Sequence, residues 1–303
     1  MRMSIDLRDP NNKLYVVCTR ISVAIMIAAS VISLAYLIAA APGEAYILTS
    51  GDDSLGVTYP LICAAVFVIC LALLIKDLSK RMSGCPDDEK DARFMRASVS
   101  KAGMLFSITA FTSVAVILLS DLIGESITED FLSGMTDYEL MVCMMCAGPE
   151  EEFLCRMLLI GLPVALVCLL KGHPRCANNM LGGFGMSRTA LAFLILSSVV
   201  FGLMHLDGWS IMKFPDTFIS GMLFGYVYIQ YGVHATIVMH SSFDLISCFD
   251  VFFDGAGTIP LMVMCVLGAV LAARSLFKMR SYVPKNSLNE PFEGSLREMW
   301  ERD

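Results

Sequence analysis

The stretch 140–170, LMVCMMCAGPEEEFLCRMLLIGLPVALVCLL, sets Glu150, Glu151, Glu152 and Arg156 between two apolar runs. A membrane span needs about 20 residues at 1.5 Å each, and this stretch is longer than that. An ionisable side chain at the centre of a membrane helix costs roughly 2.5–3.5 kcal/mol on insertion scales, so three glutamates and an arginine facing lipid would cost on the order of 10 kcal/mol. Such groups must face protein or a site. The plain alternative to a functional centre is a buried ion-pair network that only fixes helix packing. The stretch therefore argues for an all-α, polytopic transmembrane helical bundle with chemistry inside it.

Composition agrees. Of the 303 residues, 56% are hydrophobic and the mean hydropathy is +0.67, beyond the usual soluble range. The net charge of -7 says little on its own, but the lack of a basic domain or long basic arm argues against a nucleic-acid partner. The polar segment Met1 to Lys13 does not resemble a cleavable signal peptide. Of 11 cysteines, most lie in apolar runs, and Cys85 and Cys176 fall in basic connections, so no disulfide framework is expected. Cys143 and Cys146 have a metal-like spacing without a second pair and are read as packing residues.

Eight apolar segments can be drawn, at roughly 15–41, 58–75, 102–121, 138–170, 189–206, 214–231, 233–250 and 258–277. The fourth is too long for an upright helix and should tilt, bend at Pro149 or Pro163, or protrude. The sixth and seventh, joined through Gly232, should be antiparallel neighbours. The connection 76–101 carries Lys76, Lys80, Arg81, Lys90, Arg93, Arg96 and Lys101, while connections 42–57 and 122–137 carry no Lys or Arg. Lys171, Arg175 and Arg188 lie in the next connection, and Arg274, Lys278, Arg280 and Lys285 near the end. The positive-inside rule then places both termini in the cytoplasm, as an even number of spans requires. The expected organisation is a three-span region 1–137, a core 138–250, a last span 251–280 and a cytoplasmic tail 281–303.

Helical spacing sorts the charged residues. Glu152 and Arg156, four apart, can pair, whereas Glu151 points about 100° away and is free to face something else. Glu150 lies a further 100° back, toward the bundle or its interior. His205 closes the fifth segment, and His240 shares a face with Asp244 inside the seventh. A carboxylate on one helix with histidines on two others can activate water as a general base, or hold a metal that does so. His205, His240 and Asp244 would be the ligands of such a metal. His173 and His234 are weaker candidates, and Asp250 and Asp254 are expected to be solvated.

Three patterns in order then resemble the CPBP intramembrane proteases, also called the Abi or CAAX-protease-like family. They are Glu151-Glu152 with Arg156, Phe201 with His205, and His240 with Asp244, with Pro149 and the run Gly221 to Tyr228 also fitting. The resemblance covers about 140–246. Two positions depart from the usual pattern: Asp244 where many members have Asn, and Met157 where many have Gly.

The resemblance implies an intramembrane endopeptidase acting on a peptide or membrane-protein substrate in or near the bilayer. Glu151 would activate water, Glu152 and Arg156 would tune it, and His205, His240 and Asp244 would position water or oxyanion. The family has been described both as metal-dependent and as glutamate-type, so a divalent ion such as zinc is one expectation and no cofactor the other. The short metalloprotease signature of two His flanking a Glu is absent. A bacterial cytoplasmic membrane is the expected address, the endoplasmic reticulum the alternative. Two other functions use the same groups: a proton-coupled transporter, and a bacteriocin-immunity or phage-protection protein that binds without catalysis.

Overall fold

The computed structural model describes residues 10–49, 55–127, 134–170, 176–249 and 258–281. His173, Asp250, Asp254 and the tail 282–303 lie outside the described residues. The described chain is a bundle of helices: α1 (Pro10–Thr49), α2 (Leu55–Met82), the short α3 (Lys90–Met95), α4 (Ser98–Leu122), α5 (Asp137–Glu152), α6 (Leu162–Leu170), α7 (Arg188–Met204), α8 (Lys213–Tyr231), α9 (Val233–Ser247) and α10 (Thr258–Ser281). Between α5 and α6, Phe153–Gly161 is π-helical.

Six of these stretches are long and apolar enough to cross a membrane: Lys13–Ala40, Thr58–Met82, Ser98–Leu122, Asp137–Leu170, Arg188–Asp207 and Thr258–Leu276. The chain is a multi-pass membrane protein. The other two expected segments form α8 and α9, of 19 and 15 residues. Their polar content has a packing reason. Thr236, His240, Ser241 and Ser242 of α9 are buried, as are Asp216, Thr217 and Ser220 of α8. α9 packs against α1, α2, α4, α5 and α8, so protein rather than lipid surrounds it. The large exposed apolar side chains instead lie on the outer helices, among them Ile62, Ile69, Leu118, Leu166 and Val266.

Local chemistry sets several helix ends. Thr136 caps α5 by accepting the Glu139 N–H at 3.2 Å, and the Glu139 carboxylate accepts the Thr136 N–H at 2.8 Å. Ser187 caps α7 by accepting the Ala190 N–H. Gly232, with φ at +95°, makes the tight reversal that lays α9 antiparallel to α8, as its place between the two runs predicts. The long fourth segment is accommodated by a change of helical pitch. The Leu162 N–H reaches back five residues to the Met157 carbonyl, and Pro163, which has no N–H, follows directly.

Helix contacts rely on small residues and hydroxyl pairs, as expected where lipid removes the hydrophobic drive between helices. Ser22 and Ser107 lie 2.6 Å apart across α1 and α4, and Ser30 and Ser242 2.8 Å apart across α1 and α9. A Cβ on Gly268 would run into the Ser107 carbonyl, so α10 and α4 touch backbone to backbone there. Gly268→Leu should therefore lower stability by about 1–3 kcal/mol through overpacking. Thermal unfolding in detergent would register this, and an unchanged midpoint would contradict the close approach.

Candidate active site

α5 and the π-helical segment carry the acidic cluster. Glu152 and Arg156 are completely buried. Arg156 Nε donates to Glu152 Oε2 at 3.1 Å, the four-residue pairing expected from the sequence. Glu152 gathers two further donors from α9. Thr236 Oγ1 lies 2.8 Å from Oε2, and His240 Nδ1 lies 2.8 Å from Oε1. Arg156 also donates from Nη1 to Ser197 Oγ of α7 at 3.0 Å, and its guanidinium lies over the Phe201 ring, 4.8 Å from the centroid. Ser197 in turn donates to the Cys155 carbonyl. Three helical segments are thus tied at one carboxylate.

Glu151 faces elsewhere. Its Oε2 lies 3.6 Å from His240 Nε2 and 4.0 Å from His205 Nε2. That oxygen is buried and has no hydrogen-bond partner among the described residues. Asp244 Oδ2 approaches the same His240 nitrogen at 3.4 Å. Glu151, His205, His240 and Asp244 are therefore brought to one place, from three separate parts of the bundle. The side chains of Glu151, His205 and Asp244 remain about a quarter to a fifth exposed, at 25%, 20% and 18%, whereas His240 is at 4%.

Neighbouring groups orient both imidazoles. His205 Nδ1 lies 2.8 Å from the Phe201 carbonyl. A carbonyl only accepts, so Nδ1 carries the proton and Nε2 is the atom turned to Glu151. His240 Nδ1 meets the carboxylate of Glu152, which by the same logic leaves Nε2 toward Glu151 and Asp244. The His240 ring stacks on Phe224 at 4.4 Å and meets Phe201 nearly edge-on at 5.7 Å. These contacts bring together two histidines that helix lengths alone set at different depths. His205 ends α7 in a short turn, His205–Asp207, and Phe201 bridges it to His240.

Other expected residues lie elsewhere. Glu150 is exposed, and its carboxylate accepts the Tyr59 hydroxyl of α2 at 2.7 Å rather than turning inward. His234 sits at the start of α9, near Gly232 and away from the cluster. Cys143 and Cys146 are free thiols, the second buried. Thr236, Ser197 and Phe224 were not legible as site residues. Thr236 lies one turn before His240, so its helical face was the available signal.

Among the described residues, no group of three or more His, Cys, Asp or Glu side chains is placed to hold a metal ion.

Replacing Arg156 by Met would strand the Glu152 carboxylate in a buried site and should cost about 3–5 kcal/mol. Adding Glu152→Gln to that variant should recover part of the loss. Unfolding midpoints of the two variants in detergent test the coupling, and equal losses would show that the pair acts independently.

No curated protein and no solved structure matches the chain. Residues 137–246, which hold every side chain of the cluster, match a family model described as type II CAAX prenyl endopeptidase Rce1-like. The segment that carries the cluster is thus similar to the Rce1-like members of the CPBP/CAAX protease family, the family that its three motifs resemble.

Proposed function

We propose that this protein is an intramembrane endopeptidase that hydrolyses a peptide bond in or beside the bilayer, with Glu151 as the base. The observation that carries the reading is the buried, unpartnered Glu151 Oε2 set between the Nε2 atoms of His205 and His240. Both distances exceed a direct hydrogen bond, and a water between these atoms would find an acceptor on each side.

In the proposed reaction, Glu151 takes a proton from water as its oxygen adds to the peptide carbonyl carbon. The carbonyl electron pair moves onto oxygen, and His240, when its Nε2 carries a proton, donates to that oxyanion. Collapse of the tetrahedral intermediate breaks the C–N bond, and the proton held by Glu151 passes to the leaving amine. His205 fixes the water through Nε2. Glu152, Arg156 and Thr236 are positioning residues that hold the His240 ring and its tautomer. Asp244 supports His240 Nε2 from the same helix, a role Asn can fill by its side-chain oxygen.

The apolar residues Phe153, Leu154, Leu203 and Met204 beside the cluster are exposed on the bundle surface, which suits a substrate that arrives along the lipid. A multi-pass address in a bacterial cytoplasmic membrane fits the Lys and Arg distribution described above.

The test uses purified full-length protein and a quenched-peptide library. Glu151→Gln and His240→Ala should lower cleavage by about 10²–10⁴-fold, the usual contribution of general acid–base groups. Asp244→Asn should retain activity within about tenfold, since only a supporting contact changes. A chelator should leave the wild-type rate unaltered. Cleavage that survives Glu151→Gln removes the assigned base, and loss of cleavage on chelation moves the mechanism to a metal.

A further inference from the structure

Three consecutive glutamates end α5, and the helical step turns each of them a different way. Glu150 and Glu152 point about 200° apart around the axis, with Glu151 midway between them. Both outer carboxylates are held, each by a different neighbouring helix. On one face, Gly148 and Glu152, four apart, meet α9. A Cβ at Gly148 would strike Ser241, and Glu152 is bonded to Thr236 and His240. On the opposite face, Cys146 and Glu150, also four apart, meet α2. The Tyr59 hydroxyl donates to Glu150 Oε2 at 2.7 Å, and the Cys63 thiol lies within hydrogen-bonding reach of Cys146. Tyr59 and Cys63 are themselves one turn apart, so the two contacts are successive rungs between antiparallel helices.

Anchors on both sides of Glu151 control how α5 is turned about its axis. Side chains reach about 5–6 Å from a helix axis, so a rotation of about 10° carries a carboxylate about 1 Å. A catalytic group misplaced by about 1 Å can cost about 10²-fold in rate. Glu151 Oε2 stands 3.6 Å from His240 Nε2 and 4.0 Å from His205 Nε2, a spacing that such a rotation would spoil. The bonds of Glu152 to α9 pin one point of α5 and leave the helix able to pivot there. The bond from Tyr59 to Glu150, on the far side, removes that freedom. One turn further along, Cys63 and Cys146 are both buried, so the seam between α2 and α5 is closed beneath the bond.

We propose that Tyr59 is a positioning residue for Glu151, acting through the carboxylate of Glu150. Tyr59 lies outside residues 137–246, so α2 brings to the site a contact that the family-matched segment does not contain. Glu150 then serves as the handle by which α2 holds the end of α5, and its carboxylate is kept away from the two imidazoles. The effect on rate rests on the peptidase reading above, whereas the effect on the placement of Glu151 does not.

Steady-state kinetics of the purified full-length protein on a quenched peptide test the effect on rate, with each variant compared at equal folded fraction by size-exclusion chromatography. Tyr59 is 41% exposed, so Tyr59→Phe removes the hydroxyl without opening the core. It should lower kcat by about 5–20-fold, the worth of one hydrogen bond to a carboxylate, and leave KM within about twofold. Glu150→Leu should lose as much, the double variant no more than either single one, and Glu150→Gln, which keeps an acceptor, should recover most of the loss. A wild-type kcat in Tyr59→Phe, a loss carried by KM, or additive losses in the double variant overturns the proposal. Labelling with a hydrophobic carbodiimide, read by peptide mass spectrometry, follows Glu151 without any substrate. Modification of Glu151 should rise at least threefold in Tyr59→Phe, and equal modification overturns the proposal. If the wild type cuts no peptide while the labelling rises as expected, the peptidase reading fails and the positioning role of Tyr59 stands.

Discussion

A single buried carboxylate organises this protein. Glu152 has no exposure, and a carboxylate in such surroundings must have its oxygens satisfied or carry a heavy desolvation penalty. Its partners come from its own helix through Arg156 and from α9 through Thr236 and His240. Each partner is itself held: Arg156 by Ser197 and the Phe201 face, His240 by the Phe224 ring. The register of α5 against α9, and of both against α7, follows from that one requirement. Glu151 is the next residue along the chain, so fixing Glu152 also fixes where Glu151 points.

The arrangement separates two roles that similar residues could otherwise share. Glu152 is saturated with donors and fully enclosed, which suits a positioning group. Glu151 keeps one oxygen without a partner among the described residues and faces two imidazole nitrogens, which suits a group that must gain and lose a proton. The π-helical segment that starts at Phe153 lies at this junction. Its wider turn changes how successive side chains are phased just where the pair and the base diverge, and such irregular turns are frequent at functional sites.

The surrounding bundle makes a polar helix tolerable. α9 places hydroxyls, an imidazole and a carboxylate at membrane depth, and it is shielded because other helices pack around it. Glycines and serines at the crossings permit that density. A Cβ at Gly148 would collide with the Ser241 hydroxyl, so α5 and α9 approach closely one turn from the cluster. The same close packing leaves only residual exposure to Glu151, His205 and Asp244.

Much of this was legible in the sequence. Long apolar runs demand membrane helices because the bilayer offers the backbone no other partner. Charges inside those runs demand a protein-facing site, and a four-residue spacing demands the Glu152–Arg156 pair. These are local constraints, set by helical geometry and solvation within one segment. What the sequence could not supply was relative depth and the identity of partners across helices. His205 closes its segment whereas His240 lies inside its own, and their meeting at Glu151 depends on the stagger of α7 and α9, where Phe201 and Phe224 both contact the His240 ring. Glu150 was free to turn inward until Tyr59, 91 residues away, was seen to hold it. Segment-level properties are encoded within a few turns of chain, while stagger and partner choice arise from side chains distant in sequence, and only the packed bundle decides them.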